Sequence, residues 1–315
     1  MKKGNSIKLK IAVIISIIIT IFWLLPYIYV ICCSFKPGSE VIAVPPSFLP
    51  KSFSVENFTQ LFVRMNAGGY LLNSLITAVC STIIAVILGS LAAYAIQRSG
   101  AKLSVGLVVL ILCLKMIPTS SIAVPIYEII CNMGLYDTRI ALIIVYAAVN
   151  MPFVMWTMLS FYEGIPSTLD EAAYVDGASS LQTFRKVILP ICKPGLATAF
   201  IFTLFLAWND FLISLLLTSM NAKTFTVGLA GFLSAYNLDL GPMCAGAFLF
   251  SFPDFITLDI TKLTDFFLFK TLYCAISGII SVENDAKNID GKFKRGKAIP
   301  LITPNIDKDV AVEEP

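Results

Sequence analysis

The chain has 315 residues, 57% of them hydrophobic and only 14% charged, with a net charge of +3 and a mean hydropathy of +0.83. A soluble domain carries about 25% charged residues, so the composition predicts a polytopic membrane protein and gives no sign of a nucleic-acid partner. Histidine is absent, which excludes Ser-His-Asp triads, His-ligated haem and most zinc sites.

In chain order, Lys2, Lys3, Lys8 and Lys10 form a basic segment at residues 1–10, ahead of the uncharged run Ile11–Cys33. That run is too long for a signal-peptide core and has no small-residue cleavage site after it, so it reads as an uncleaved first span. Tyr70–Gln97, Leu103–Ile126, Ile140–Tyr162 and Gly195–Met220 follow, each long enough to cross a hydrocarbon core that needs ~20 apolar residues. In lipid each must be helical, because only a helix satisfies its own backbone groups there. A sixth span starts at Gly241–Phe252, meets Pro253 and Asp254, and resumes at Phe266–Ile280 with Lys270 inside it. The expected architecture is therefore all-α, with about six transmembrane helices over residues 11–280 and a polar tail at 281–315. Eight cysteines sit mostly in apolar runs without a C-x-x-C pair and read as buried free thiols; neither metal nor cofactor is expected.

Positive charge sets the orientation. Arg98 and Lys102, then Arg185, Lys186 and Lys193, then Lys292, Lys294, Arg295 and Lys297 fall on the side of the N-terminal lysines if the chain crosses six times. Both termini are then cytoplasmic, and Ser34–Gly69, Cys131–Arg139 and Asn221–Leu240 face outward.

One cytoplasmic loop, residues 163–194, contains the polar stretch "LDEAAYVDGASSLQTFRKVILP" from Leu169 to Pro190. Ser167 is placed to cap a first short helix, and Gly177 to end it in a left-handed conformation. Ser180 is placed to cap a second helix that Pro190 stops. The two alanines beside Glu171 make a low ridge, suited either to a closely approaching protein or to the membrane surface. Within the spans, Lys115 and Asp210 lie at similar depth, roughly 18–23 Å from the cytoplasmic surface at 1.5 Å per residue. An intramembrane charge costs about 2.5–3.5 kcal/mol on insertion scales, so each needs a partner or water. They are compatible with a structural pair, or with a polar translocation path that also uses Asn150, Trp208 and Asn209.

Glu171-Ala172-Ala173, then Gly177, then Val187, Leu189 and Pro190 resemble the EAA loop of ABC-transporter permease subunits. The fuller string "EAAYVDGASSLQTFRKVILPICKPG" is similar to the version in sugar importers of the maltose-type group. "PPSFLPKSFSVENFTQLF", "YLLNSLITAV", "SLAAYAIQR", "NMPFVMWTMLSFYEGIP" and "LAWNDF" extend the likeness over roughly Met1 to Phe250. The resemblance implies a bacterial inner-membrane subunit that docks on a separate ATPase through Glu171, Ala172, Ala173, Asp176, Gly177 and Pro190. It also implies a second permease subunit, an extracellular solute-binding protein and a sugar or oligosaccharide as solute. No G-x-x-x-x-G-K-[ST] loop is present, so ATP hydrolysis is not expected of this chain. The likeness fails at "SFPDFITLDITKLTD", where a frame change or divergence accounts for the break. Two rival readings remain open: an ion-coupled secondary transporter that uses intramembrane acids, and a non-transporting membrane protein with an incomplete sixth span.

Overall fold

A chain this apolar has to pair its backbone groups locally, and every regular element among the described residues is helical. The computed structural model describes residues 3–99, 101–232 and 239–252, all within the unit Met1–Asp254. In order these are α1 (Lys3–Ser34), α2 (Gly38–Val41), α3 (Glu56–Met65), α4 (Ala67–Gln97), α5 (Ala101–Met116), α6 (Thr119–Asn132) and α7 (Arg139–Glu163). There follow α8 (Thr168–Val175), α9 (Ser180–Thr183), a π turn (Phe184–Ile188), α10 (Leu189–Ile191), α11 (Lys193–Trp208), α12 (Leu212–Leu217), α13 (Phe225–Ala230) and α14 (Leu240–Phe250).

Helices α4 and α7 are each long and apolar enough to cross a bilayer alone, and two bent pairs bring the number of crossings to four if each pair is one span. Thr20–Ser34 and Leu240–Phe250 are shorter apolar helices. The second pair joins Ser180–Ile191 to Lys193–Trp208, so its bend lies ahead of the expected span Gly195–Met220 and takes in part of loop 163–194. Two expected spans are nonetheless not straight. Leu103–Ile126 is broken around Ile117–Pro118, and the helices on either side meet at 86°. Pro118 has no N–H to donate and disfavours helical backbone at Ile117. Gly195–Met220 is also interrupted: α11 ends at Trp208 and the chain resumes at Leu212. There Asp210 Oδ1 accepts from the amides of Ile213 (3.0 Å) and Ser214 (3.3 Å), which starts a new helix instead of continuing the old one. The run Phe266–Ile280 and the tail 281–315 lie outside the described residues.

The core that positions the loop is the α4–α7 pair. Helix α4 buries small residues at close to four-residue intervals: Ser74, Ala78, Thr82, Ala85, Gly89 and Ala93. Such a stripe lets two helix backbones approach closely without a hydrophobic driving force between them. The approach is tightest at Gly89, where an added Cβ would lie 2.8 Å from Val154 Cγ1 of α7. Large apolar side chains on the outer side of α4, among them Ile83, Ile84, Ile87 and Leu88, are left exposed, as lipid-facing positions require.

Candidate functional site

The loop between α7 and α11 folds as two short helices whose ends are fixed by local rules. Helix α8 follows Pro166, and the carbonyl of Ser167 accepts from the amides of Asp170 (2.9 Å) and Glu171 (3.1 Å). The Ser167 side chain makes no capping bond, contrary to expectation. The other end matches its expectation. Gly177 has φ +80°, Ala178 N–H donates to Ala173 O (2.9 Å) and Gly177 N–H to Tyr174 O (3.0 Å). This double bond pattern satisfies the last carbonyls of α8 and needs a left-handed residue at position 177. The next cap is Ser179, one residue before the expected Ser180. Its hydroxyl accepts from Gln182 N–H (3.4 Å), while Gln182 Oε1 accepts from Ser179 N–H (2.8 Å). Pro190 lies within α10, one residue before its end, and the chain then turns through 82° into α11.

The loop is seated by one buried acid. Asp170 is only 4% exposed. Tyr94, in the last turn of α4, donates its hydroxyl to Asp170 Oδ1. Arg98, the residue that ends α4, brings Nη2 to 2.7 Å from Asp170 Oδ2. This is a charge contact rather than an aligned hydrogen bond, and Arg98 Nε has no hydrogen-bond partner. The same guanidinium lies over the Tyr94 ring, 5.8 Å from its centroid, and donates to Ile165 O at 3.4 Å. Tyr94 in turn packs on Tyr162 of α7 (5.9 Å) and on Phe184 of the π turn (5.1 Å).

The opposite face of the loop is open. Glu171, Ala172, Asp176, Gly177 and Pro190 are exposed. So are apolar side chains that a solvated loop would not normally present: Val175 at 87%, Leu181 at 65% and Tyr174 at 47%. Ala173 departs from its expected place on the docking ridge. Its side chain is buried, one helical turn from Asp170 on the inward side, so it supports the ridge from beneath.

The residues expected along a polar path are only partly brought together. Asn150 is buried in α7. Asp210 is held by Tyr146, whose hydroxyl donates to Oδ1 at 3.1 Å, besides the two amides of α12. The side chain of Lys115 lies outside the described residues, and so does its expected pairing with Asp210. Asn209 is exposed and donates to Phe205 O (3.0 Å). Trp208 does not offer a free stacking face there. It is buried against Phe250 (4.9 Å between centroids, 11° between planes), and its Nε1 donates to Phe250 O at 3.2 Å.

A second acid organises the other end of α4. Asp137, at φ +58°, accepts from the amides of Ser219 (2.9 Å), Met220 (3.1 Å), Asn221 (3.0 Å) and Ala222 (3.1 Å), and from Asn221 Nδ2 (2.9 Å). Desolvation opposes its ionisation, but the amides of Asn221, Ser219, Ala222 and Met220 outweigh it and hold the carboxyl at about 2. Asn73 of α4 joins the same cluster. Its Nδ2 donates to the carbonyls of Asn221 (3.0 Å) and Lys223 (2.9 Å), and its Oδ1 accepts from Arg139 Nε (2.7 Å).

Residues 85–265, more than half of the chain, match the family model described as the binding-protein-dependent transport system inner membrane component. The chain belongs to that family. A trehalose transport system permease protein of Mycobacterium tuberculosis is 36% identical over 73% of this chain and 84% of its own length. A diacetylchitobiose uptake system permease protein of Streptomyces coelicolor is 33% identical over 73% and 78%. Among solved structures, a bacterial ABC transporter that imports the acidic polysaccharide alginate shares the fold, with a TM-score of 0.68 at 20% identity over 83% of this chain and 98% of that one. As an inner membrane component of such a system, the chain is a multi-pass transport subunit and not an ATPase.

Family membership leaves Asp170, Tyr94, Arg98 and Tyr146 unassigned, and no motif in the sequence marks them as a cluster. In the sequence Arg98 stands only among the positive charges that set orientation, and nothing there marks Asp170 as its partner. Their meeting depends on residues 72 positions apart in the chain, and no local pattern reports it.

Proposed function

We propose that this chain forms part of the membrane path of an ATP-driven importer for a sugar or oligosaccharide, with loop 163–194 as the seat of a separate ATPase subunit. The observation that carries the reading is the outward face of α8 and α9. It is fixed by the left-handed stop at Gly177 and the capping box at Ser179, and still exposes Tyr174, Val175 and Leu181 beside Glu171, Ala172, Asp176 and Gly177. Apolar side chains flanked by charge on a fixed helix are what a protein partner buries. The Lys and Arg distribution favours the cytoplasmic side for this loop and both termini, where ATP is available.

A second permease subunit and an extracellular solute-binding protein complete the assembly. The sugar class rests on the trehalose and diacetylchitobiose systems among the relatives. The polar path uses Asn150, Asn209 and Asp210, with Lys115 on the same route and Trp208 in a supporting role behind it.

The test is capture of the cognate ATPase by the tagged chain in detergent, compared with Val175→Asp and Leu181→Asp variants. Each substitution places a charge at the centre of the proposed contact, and retention should fall by about tenfold or more. Full retention with both variants overturns the docking role. Uptake of trehalose or chitobiose-type sugars that persists without the ATPase overturns the ATP-driven reading.

A further inference from the structure

We propose that Asp170 is a positioning residue that locks α8 to the end of α4 through Tyr94 and Arg98, so that displacement of the loop by the ATPase is delivered to α4. The proposal rests on the docking reading above and adds the route by which motion enters the spans.

Tyr94 and Arg98 stand four residues apart, one above the other on a single face at the end of α4. Asp170 stands in the first turn of α8 and is buried between them. Ala173, three residues on, is buried on the same side of α8, whereas Glu171, Ala172 and Val175 point away. The helix thus has a bound side and a free side, and a push on the free side bears on the α4 contact. The covalent routes are less direct. Toward α7 the chain passes the Gly164–Ser167 turn, and toward α11 it passes a π turn and an 82° bend.

Helix α4 is suited to receive the push. It runs unbroken over 31 residues with no proline inside it, unlike α1, α6 and α7, which contain Pro26, Pro125 and Pro152. The contact itself is a joint rather than a weld. Asp170 and Arg98 meet at one close point without the two-pronged geometry that fixes an arginine–carboxylate pair.

The experiment uses the full importer in proteoliposomes, assembled from the tagged chain, its partner permease, the ATPase and the binding protein. Two quantities are read: retention of the ATPase on the tagged chain, and solute taken up per ATP hydrolysed. Asp170→Asn should keep retention and lower uptake per ATP by at least about fivefold, the lower end of ordinary coupling energies. Tyr94→Phe should act in the same direction with smaller size. The charge swap Asp170→Arg with Arg98→Asp should recover part of the loss, because it restores an ion pair with the same two neighbours.

Uptake per ATP within about twofold of the parent in both Asp170→Asn and Tyr94→Phe overturns the proposal. Loss of ATPase retention in Asp170→Asn also overturns it, because Asp170 then shapes the docking face instead of relaying its motion. Failure of the parent chain to retain ATPase is a separate result that removes the docking reading itself. Should Asp170→Asn fail to accumulate in the membrane, Tyr94→Phe, which removes one hydroxyl, is scored on the same two quantities.

Discussion

Each end of α4 meets a cluster organised by an aspartate from elsewhere in the chain, and the two aspartates are held in opposite ways. Asn73 and Arg98, which reach the two clusters, are 25 residues apart, about 37 Å along a helix. That exceeds the ~30 Å hydrocarbon core, so the two clusters cannot both lie inside it if α4 crosses upright. At one end Asp137 takes five donors from a single short segment, four of them backbone amides, and Asn73 takes up two carbonyls of the same segment. At the other end Asp170 has one hydroxyl and one unaligned guanidinium. Backbone donors cannot leave without unfolding their loop, whereas side-chain partners can swing. The difference teaches that the loop Asn73 binds is firmly fixed by Asp137, whereas the cluster at Arg98 is jointed.

The largest expected effect comes from breaking the joint in a way that leaves its acid stranded. Arg98→Met leaves the Asp170 carboxylate buried with Tyr94 alone. Removing one partner of a buried pair costs about 3 kcal/mol here, the low end of the usual range because the Arg98 side chain is 21% exposed. A melting curve of the detergent-solubilised chain measures it. The double variant with Asp170→Asn should regain most of the loss, since no charge is left uncompensated.

Next in size is the spine between the two ends. Gly89→Ala puts a methyl 2.8 Å from Val154 Cγ1, and the β-branched Val154 is fully buried and cannot turn away. A cost of about 2 kcal/mol is expected. Adding Val154→Ala should return much of it, and an unchanged melting midpoint in Gly89→Ala alone would show that α4 and α7 are not this close.

Smaller again is the stop of α8. Gly177→Ala meets no neighbouring atom within 4 Å, so its cost is purely that of a left-handed backbone, about 1.5 kcal/mol. Gly177→Asn should cost less than alanine does. Equal melting midpoints for the two variants would mean that the turn relaxes and that the joint tolerates a reshaped loop.

The smallest effect is at the anchor, and it depends on pH. The folded-state carboxyl of Asp137 is held at about 2, below its ordinary value. A depressed carboxylate contributes stability above the unfolded-state pKa, near 4, and loses it as pH falls toward 2. Solvent screening at this partly exposed site reduces the contribution to about 1 kcal/mol. Asp137→Asn should therefore lower the melting midpoint at pH 7 and leave it nearly unchanged near pH 2. A deficit that is constant across that range would assign the effect to shape rather than to charge.

Much of this was legible in the sequence, and the limits have physical causes. Apolar run length located the two single-helix spans, α4 and α7, because lipid leaves the backbone no alternative to a helix. The left-handed stop at Gly177 was legible because it follows from one residue and its immediate neighbours. The caps were less so. Ser179 and Ser180 are equivalent on paper, and only the reach of Gln182 selects the first. The breaks at Pro118 and Asp210 were marked by those residues, yet hydropathy averages over both, so two spans read as straight. Buried partnerships were not legible at all: Asp170 meets Tyr94 and Arg98, Asp210 meets Tyr146, and Phe250 covers Trp208, each pair joined by packing across long stretches of chain.

The Trp208 stack makes the molecule its own optical gauge. Phe250 stacks on both Trp208 and Phe225, with ring planes within 11° and 5°, so the indole of α11 stays shielded only while α14 is in place. If α14 lifts away, that indole meets a polar environment and its emission moves to the red. Trp156, half exposed on α7, already emits from a polar setting and has to be removed for the shift to be read. With Trp23 and Trp156 replaced by phenylalanine, the remaining emission reads whether the last described helix is in place, without any label.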